Sequence, residues 1–315
     1  MKTIYFNSDV HLITPQVATI GFFDGVHRGH QFILKQVCQA AKEAGMESMV
    51  ITFDRHPRQV LHEDYQPQLL TTLPEKVRLL ELTGIDCCVI LPFSTDMAAL
   101  SAQMFMQSIL KEHLNVRQLL IGYDNRFGHN RAEGFEDYVR YGRQMGIRVA
   151  HNTVFEPQGL HISSSAIRKY IEQGNISMAN ECLGRPYQIT STVVNGFHEG
   201  RKIGFPTANL DPQLISTMLP ANGVYAVLAS IGNEGTWHEG MMNIGFRPTF
   251  KGQTLSVEVN IFNFNEDIYG RQVTVRIIRH MRDEHKFSSP EQLSQQITDD
   301  RQHIRDFFEQ QKHQF

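Results

Sequence analysis

Short apolar, β-branched runs alternate with amphipathic stretches along the first half of the chain, the pattern of a parallel sheet whose strands are joined by helices. Val17 to Gly21 reads as a strand. Gln31 to Ala44 reads as a helix with Ile33, Val37, Ala40, Ala41 and Ala44 on one face, stopping at Gly45. Ser48 to Phe53 is a second strand. A helix started by Pro74 and ended at Gly84, a strand around Val89, a helix opened by Ser101, a strand at Leu119 to Gly122 and a fifth near Val149 complete the series. Right-handed crossovers stack such units into one open sheet with helices on both faces, which puts ligands at the carboxyl ends of the strands. The loop that begins at Gly21 is one such end.

Beyond a helical stretch from Ser164 to Leu183 the period becomes that of strands: Tyr187 to Val194, Val224 to Ala229, Ser256 to Phe262 and Gln272 to Ile278. Asn195-Gly196, Asn222-Gly223 and Tyr269-Gly270 punctuate them, which suits a small closed barrel. From Pro290 onward, Leu293, Ile297, Ile304 and Phe307 form the apolar stripe of a terminal helix that can pack across the barrel. The expected fold is α/β plus β, with domains 1–184 and 185–315 meeting near Gly184-Arg185-Pro186, and 315 residues suffice for two cores.

Hydrophobic residues make up 41% and charged residues 20%, an ordinary globular balance. A net charge of −3 with no run of Lys or Arg argues against nucleic-acid and membrane surfaces, and leaves local sites for small anions. Cys38, Cys87, Cys88 and Cys182 form no CxxC pair and are expected as free thiols in the reducing cytoplasm. The N-terminus does not read as a secretory leader, and no run of about 18 apolar residues occurs, so export and membrane spanning are not expected. No feature of the sequence sets an oligomeric state.

The first chemical constellation follows the first strand: Gly21-Phe22-Phe23-Asp24-Gly25-Val26-His27-Arg28-Gly29-His30, running into a helix. Its glycines let the backbone approach a phosphate, the helix start offers N–H donors and the positive dipole end, and His27 and His30 add imidazole donors. Together these make a nucleotide-phosphate cradle. Asp24, His27 and His30 could also face a metal, but the nearby Asp54 and His56 belong to another strand end and no ligand motif completes the set.

The second constellation is Gly200-Arg201-Lys202-Ile203-Gly204-Phe205-Pro206-Thr207-Ala208-Asn209-Leu210. Gly200 and Gly204 permit close backbone approach, while Thr207 and Asn209 alternate with Ala208 and so face one side of an extended segment. Both offer oxygens. A Mg²⁺ carried on nucleotide phosphates needs only one or two protein oxygens, although the same pair could simply cap a turn.

The Gly21 run resembles the HxGH signature of the nucleotidyltransferase superfamily, and its extended form resembles the adenylyltransferase module of bifunctional FAD synthetases. Thr52-Phe53-Asp54-Arg55-His56-Pro57, Gly122-Tyr123-Asp124-Asn125-Arg126-Phe127-Gly128 and Ile162-Ser163-Ser164-Ser165-Ala166-Ile167-Arg168 resemble further segments of that module, with Arg55, Asn125 and Ser165-Ala166 as departures. Gly200 to Leu210 resembles the hallmark of riboflavin kinases, and Asn243-Ile244-Gly245, Val257-Glu258-Val259 and Arg282-Asp283-Glu284-His285 support it. The resemblance spans nearly the whole chain. It implies a Rossmann-like nucleotidyltransferase domain followed by a kinase barrel, with ATP as co-substrate, riboflavin phosphorylated to FMN, and FMN adenylylated to FAD with release of pyrophosphate.

Together with the cradle, the resemblance places Gly21, Phe23, Asp24, Gly25, Gly29, Ser164, Arg168, Gly200 and Gly204 at nucleotide and phosphates. It places Phe53, Asp124, Phe127 and Arg282 at flavin, Thr207 and Asn209 at Mg²⁺, and Glu258 at the riboflavin 5′-hydroxyl as its base, with His27 and His30 stabilising the transferred phosphate. Taken alone, Phe53 and Phe127 are more simply core residues, and Ser163 to Ser165 a helix cap. A single-activity nucleotidyltransferase with a non-catalytic flavin-binding β module, or a non-enzymatic flavin-binding regulator, would not need Thr207, Asn209, Glu258, His27 and His30 together. An aminoacyl-tRNA synthetase shares HxGH, but Lys286 to Pro290 only faintly matches the second motif of that class and no basic RNA-binding region accompanies it.

Overall fold

The computed structural model describes residues 1–312 apart from 62–67, 123–125, 130–131, 154, 156, 158–159, 197–203, 233–234 and 250–251. They form two compact units, Met1–Ser164 and Ser165–Phe315.

The first unit is built on a parallel sheet of β1 (Lys2–Tyr5), β2 (Gln16–Ile20), β3 (Glu47–Phe53), β4 (Cys87–Leu91), β5 (Val116–Ile121) and β6 (Arg148–His151), in the order β1-β4-β3-β2-β5-β6. Joining them are α1 (Arg28–Ala44), α2 (Pro57–Leu61), α3 (Leu73–Glu81), α4 (Thr95–Ala99), α5 (Ala102–Met104, continued by a π-helical run Phe105–His113) and α6 (Phe135–Met145). Every residue of β2 and β4 is buried, as strands covered on both faces must be. Strand alternation sends neighbours to opposite cores. Ala18, Met49 and Val89 join one cluster with Met106 and Leu119, whereas Val17, Val50 and Cys88 join the other with Leu34, Val37 and Leu80.

From β2 the chain steps outward through β3 and β4, then returns to the other side of β2 with β5, so strand order reverses beside β2. Ligands bind outside the carboxyl ends at such a reversal. Gly21, Asp54 and Gly122, which follow β2, β3 and β5, lie at that edge.

The second unit contains most of α7 (Ser164–Glu172), then α8 (Ile176–Leu183) and a closed antiparallel barrel. Its strands are β7 (Tyr187–Val194), β8 (Ala208–Leu210), β9 (Gly223–Ile231), β10 (His238–Thr249), β11 (Gly252–Ile261) and β12 (Gln272–Arg282), in the order β10-β11-β8-β7-β12-β9. Closure leaves no free sheet edge. The terminal helix α9 (Pro290–Lys312) packs as its apolar stripe requires, with Ile304 and Phe308 buried against Val224, Ala226, Met241 and Phe262 and with Ile297 and Phe307 half-covered. The expected α/β sheet and β-barrel are therefore both present, with β1, β8 and β10 added to the expected strands.

The compact units part at Ser164, ahead of the Gly184 boundary expected from sequence, because α8 is bonded to the barrel. Asn180 accepts the Tyr187 N–H at 2.7 Å and donates to the carbonyls of Ile277 and Ile278 at 3.0 and 3.3 Å, while Cys182 and Leu183 are fully buried. A fragment 185–315 loses all of these bonds. It should melt several degrees below a fragment 165–315 by circular dichroism, and equal melting temperatures would make α8 an independent appendage.

Candidate active sites

Between β2 and α1 the chain makes a turn that few side chains tolerate. Phe23 and Val26 both take left-handed backbone conformations, at φ 54° and 39°, and Gly25 lies between them at φ 80°. A β-branched residue such as Val26 rarely adopts that region, so the turn must be held by its surroundings. Asp24 does part of this. Its buried carboxylate accepts the N–H groups of Leu70 and Thr71 at 3.0 and 3.1 Å and the Thr71 hydroxyl at 3.2 Å, and Thr71 Oγ1 accepts the Gly25 N–H at 3.1 Å. Asp24 thus shapes the loop through its side chain. Asp24→Ala strands buried donors at Leu70 and Thr71, and should lower unfolding free energy by about 2–4 kcal/mol in a denaturant titration.

The histidines open α1. His27 caps the helix, its Nδ1 accepting the His30 N–H at 3.2 Å, which leaves Nε2 to carry the proton of the neutral ring. The two imidazoles stack with centroids 3.6 Å apart and planes 17° from parallel, and Phe23 meets His30 edge-on at 5.0 Å. Gly29 makes room for this: a Cβ there would sit 3.2 Å from both Cε1 and Nδ1 of His27. His30 Nδ1 is sealed from solvent without a partner among the described residues. Burial pushes the His30 imidazole well below its ordinary range, and the charges of His27 and Lys76 act in the same direction.

Other expected residues of this half divide in position. Ser164 Oγ donates to the Asp24 carbonyl at 3.0 Å, so the serine segment does meet the loop. Arg168 lies one turn further along α7, in the second compact unit. Phe53 and Phe127 are both half-buried against the sheet core, Phe127 stacked on Tyr138 at 4.2 Å and Phe53 edge-on to Phe93 at 5.3 Å. Asp124 and Asn125 lie outside the described residues, as does Gly200 in the other half. Lys76, which the sequence reading passes over, is buried beside the loop and bonds to the Phe22 carbonyl.

In the barrel, β11 alternates Ser256, Glu258 and Asn260 toward one cavity of about 290 Å³, which Phe205, Met241, Arg282 and Asp300 also line. Val259 and Ile261 point instead to a second cavity of about 260 Å³, bordered by Phe264, Asp267 and Tyr269. Thr207 lines both. Its hydroxyl donates to Glu258 Oε2 at 3.2 Å, and Ser256 Oγ donates to Oε1 at 2.7 Å, so the nearly buried carboxylate is aimed by one hydroxyl on each oxygen. Asn209 stands directly opposite Glu258 across the β8–β11 ladder. Gly204 takes φ 83° on the exposed approach to Phe205.

Arg282 reaches the first cavity already paired. Its Nε donates to Asp300 Oδ1 at 2.9 Å and its Nη2 to Oδ2 at 2.7 Å, and Gln296 supports Asp300 with a further donor at 2.9 Å. A buried aspartate on the terminal helix is invisible to sequence patterning, since it reads as one more acid on a polar face.

A reversed-order parallel sheet carrying an HxGH loop, followed by a barrel that fixes a carboxylate in one cavity beside a threonine shared with a second, fits a transferase with two sites. The FAD synthetase family profile matches residues 11–166 and the riboflavin kinase profile residues 183–308. Over 293 residues the chain is 37% identical to the bifunctional riboflavin kinase/FMN adenylyltransferase of Escherichia coli (strain K12), which covers 93% of this chain and 92% of that relative. The chain belongs to the bifunctional riboflavin kinase/FMN adenylyltransferase family. The Bacillus subtilis (strain 168) member is 35% identical over 321 residues, 98% of each chain. A solved structure described as a macrolide-efflux protein from Streptococcus pneumoniae superposes with a TM-score of 0.87 at 33% identity, covering 97% of this chain and 99% of that one. Among the described residues here, no helix is long and apolar enough to cross a membrane. Because both family modules are present, the bifunctional reading prevails over a single-activity nucleotidyltransferase with a non-catalytic β module.

Proposed function

We propose that riboflavin is phosphorylated in the barrel, between its two cavities, and that FMN is adenylylated at the loop between β2 and α1. The observation that carries the kinase assignment is the position of Thr207, which lines both cavities and bonds to Glu258. Riboflavin occupies the larger cavity, which combines apolar and aromatic walls with Asn243, Asn260 and Arg282, and ATP the smaller. Glu258 then takes the proton of the 5′-hydroxyl as its oxygen attacks the γ-phosphorus, while Thr207 and Ser256 keep the carboxylate in line.

The oxygens of Thr207 and Asn209 suit a hard cation. Among the described residues no group of three His, Cys, Asp or Glu side chains could chelate a metal, so Mg²⁺ would take its remaining ligands from ATP phosphates and water. When bound there, it neutralises charge on the transferring phosphoryl group.

At the sheet, the nucleophile is the FMN phosphate, largely dianionic at neutral pH, and no base is required. His27 and His30 donate hydrogen bonds to the reacting phosphates as charge shifts toward pyrophosphate, Gly25, Gly29 and the α1 N-terminus admit the nucleotide, and Ser164 holds the loop. The enzyme works in the cytoplasm, where its cysteine thiols stay reduced. Incubation of the pure protein with riboflavin, ATP and Mg²⁺ should give FMN first and FAD second, with pyrophosphate equal to FAD. Absence of both flavin products would overturn the assignment.

A further inference from the structure

Lys76 is only 3% exposed, although it lies on α3, whose neighbouring Arg78 faces outward. Its ammonium donates to the carbonyls of Phe22 and Phe53 at 3.1 and 3.0 Å and to Thr52 Oγ1 at 3.1 Å, and it stands 4.3 Å from the centre of the Phe22 ring. Thr52 Oγ1 in turn donates to the Phe22 carbonyl at 3.0 Å. An ammonium has three protons and a neutral amine two, so Lys76 can donate all three bonds, with Thr52 still donating to the Phe22 carbonyl, only while it is charged. Phe22 directly precedes the left-handed turn at Phe23 and Val26, and the same stretch of chain, through Leu70 and Thr71, holds Asp24.

We propose that Lys76 is a positioning residue for adenylyl transfer: its ammonium clamps the phosphate loop at Phe22 to the end of β3 at Phe53, and the loop keeps its reactive shape only while all three bonds stand. The inference rests on the assignment of adenylyl transfer to the loop of His27 and His30. Lys76 acts through the main chain, at the carbonyls of Phe22 and Phe53, rather than through a contact with His27 or His30.

The clamp has a pH signature. Burial lowers the Lys76 ammonium from 10.5 to about 8, against the opposing charges of Asp24 in the loop and Asp54 after β3. Burial also pushes the Cys88 thiol up to about 12 and His30, facing from α1, well below its ordinary range, so neither changes charge near pH 8. Between pH 8 and 10.5 the unfolded chain binds more protons at this lysine than the folded one, so this group adds stability as pH rises through that window. Adenylyl transfer, by contrast, should fall over the same window.

The test is kcat for FMN to FAD and for riboflavin to FMN across pH 6.5 to 9.5, with a melting temperature at each pH, on wild type, Lys76→Met and His30→Ala. The wild-type adenylyl kcat should fall about tenfold per pH unit above about pH 8 while the fold is not weakened, and the kinase kcat should lack that limb. Lys76→Met should lower adenylyl kcat by about 10–100-fold at pH 7, change KM for FMN less than about threefold, flatten the alkaline limb and spare the kinase. A wild-type profile without the limb overturns the clamp even if Lys76→Met fails to fold. So does a Lys76→Met protein with wild-type adenylyl turnover. If His30→Ala also leaves FMN-to-FAD turnover intact, the loop assignment itself is wrong; if only His30→Ala loses it, the clamp alone fails.

Discussion

Glu258→Gln should reduce riboflavin phosphorylation by about 10²–10⁴-fold and leave adenylylation of supplied FMN unchanged. The substitution preserves volume, and the amide oxygen can still accept from Ser256 or Thr207, so the β8–β11 ladder and both cavity walls stay in place. What disappears is the capacity to accept a proton from the 5′-hydroxyl, which is a weak nucleophile at neutral pH without a base. KM for riboflavin should change little, because the apolar and amide walls that hold the ring are untouched. Residual phosphorylation within tenfold of wild type would show that Glu258 only braces Thr207.

His30→Ala should slow FMN to FAD by about 10²–10³-fold and leave riboflavin to FMN at the wild-type rate. The loss is larger than that of a surface donor because the His30 ring is packed between His27 and Phe23 with Nδ1 sealed from solvent, where a positioned hydrogen bond counts for more. His30→Asn keeps a donor on a shorter reach and should lose less. Since His30 is held well below its ordinary pKa, it stays neutral from about pH 6.5 upward, and its contribution should not vary with pH there. Alanine also removes one ring of the stack with His27, so a melting temperature must accompany the rates. Parallel loss of both activities and stability would mark His30 as a packing residue.

Where local pattern and final position coincide, the sequence was readable. The helix α1, the buried strands β2 to β5 and the loop from Gly21 to His30 all announce themselves through period and glycine placement, while the capping role of His27 appears only in the structure. Strand β1 did not, because its four residues lie at a sheet edge, mostly exposed, with no apolar run to mark them. β8 has only three residues, and β10 contains Gly240 and Gly245, which weaken the strand pattern there.

The sites show the same division. Thr207 and Asn209 could be paired from their alternation, but Glu258 lies 51 residues beyond Thr207 and was joined to them only by resemblance, whereas the barrel register sets Asn209 opposite Glu258. Lys76 and Asp300 could not be read locally, since a lysine or an aspartate on an amphipathic helix has solvent as its default partner. Only the packing of α3 against the ends of β2 and β3, and of α9 across the barrel, turns them inward. Phe127 shows the converse: the segment that implied flavin contact also stacks its ring on Tyr138 in the core.

That two independent sites act in sequence is tested most directly by one time course, in which wild type, Glu258→Gln and His30→Ala each receive either riboflavin or FMN, with ATP and Mg²⁺, and FMN and FAD are quantified together. The account predicts that His30→Ala converts riboflavin to FMN at the wild-type rate and stops there, while Glu258→Gln makes FAD from supplied FMN at the wild-type rate but almost none from riboflavin. If either substitution instead depresses both conversions equally in a protein that keeps its wild-type melting temperature, the two sites are not separate and the account is contradicted.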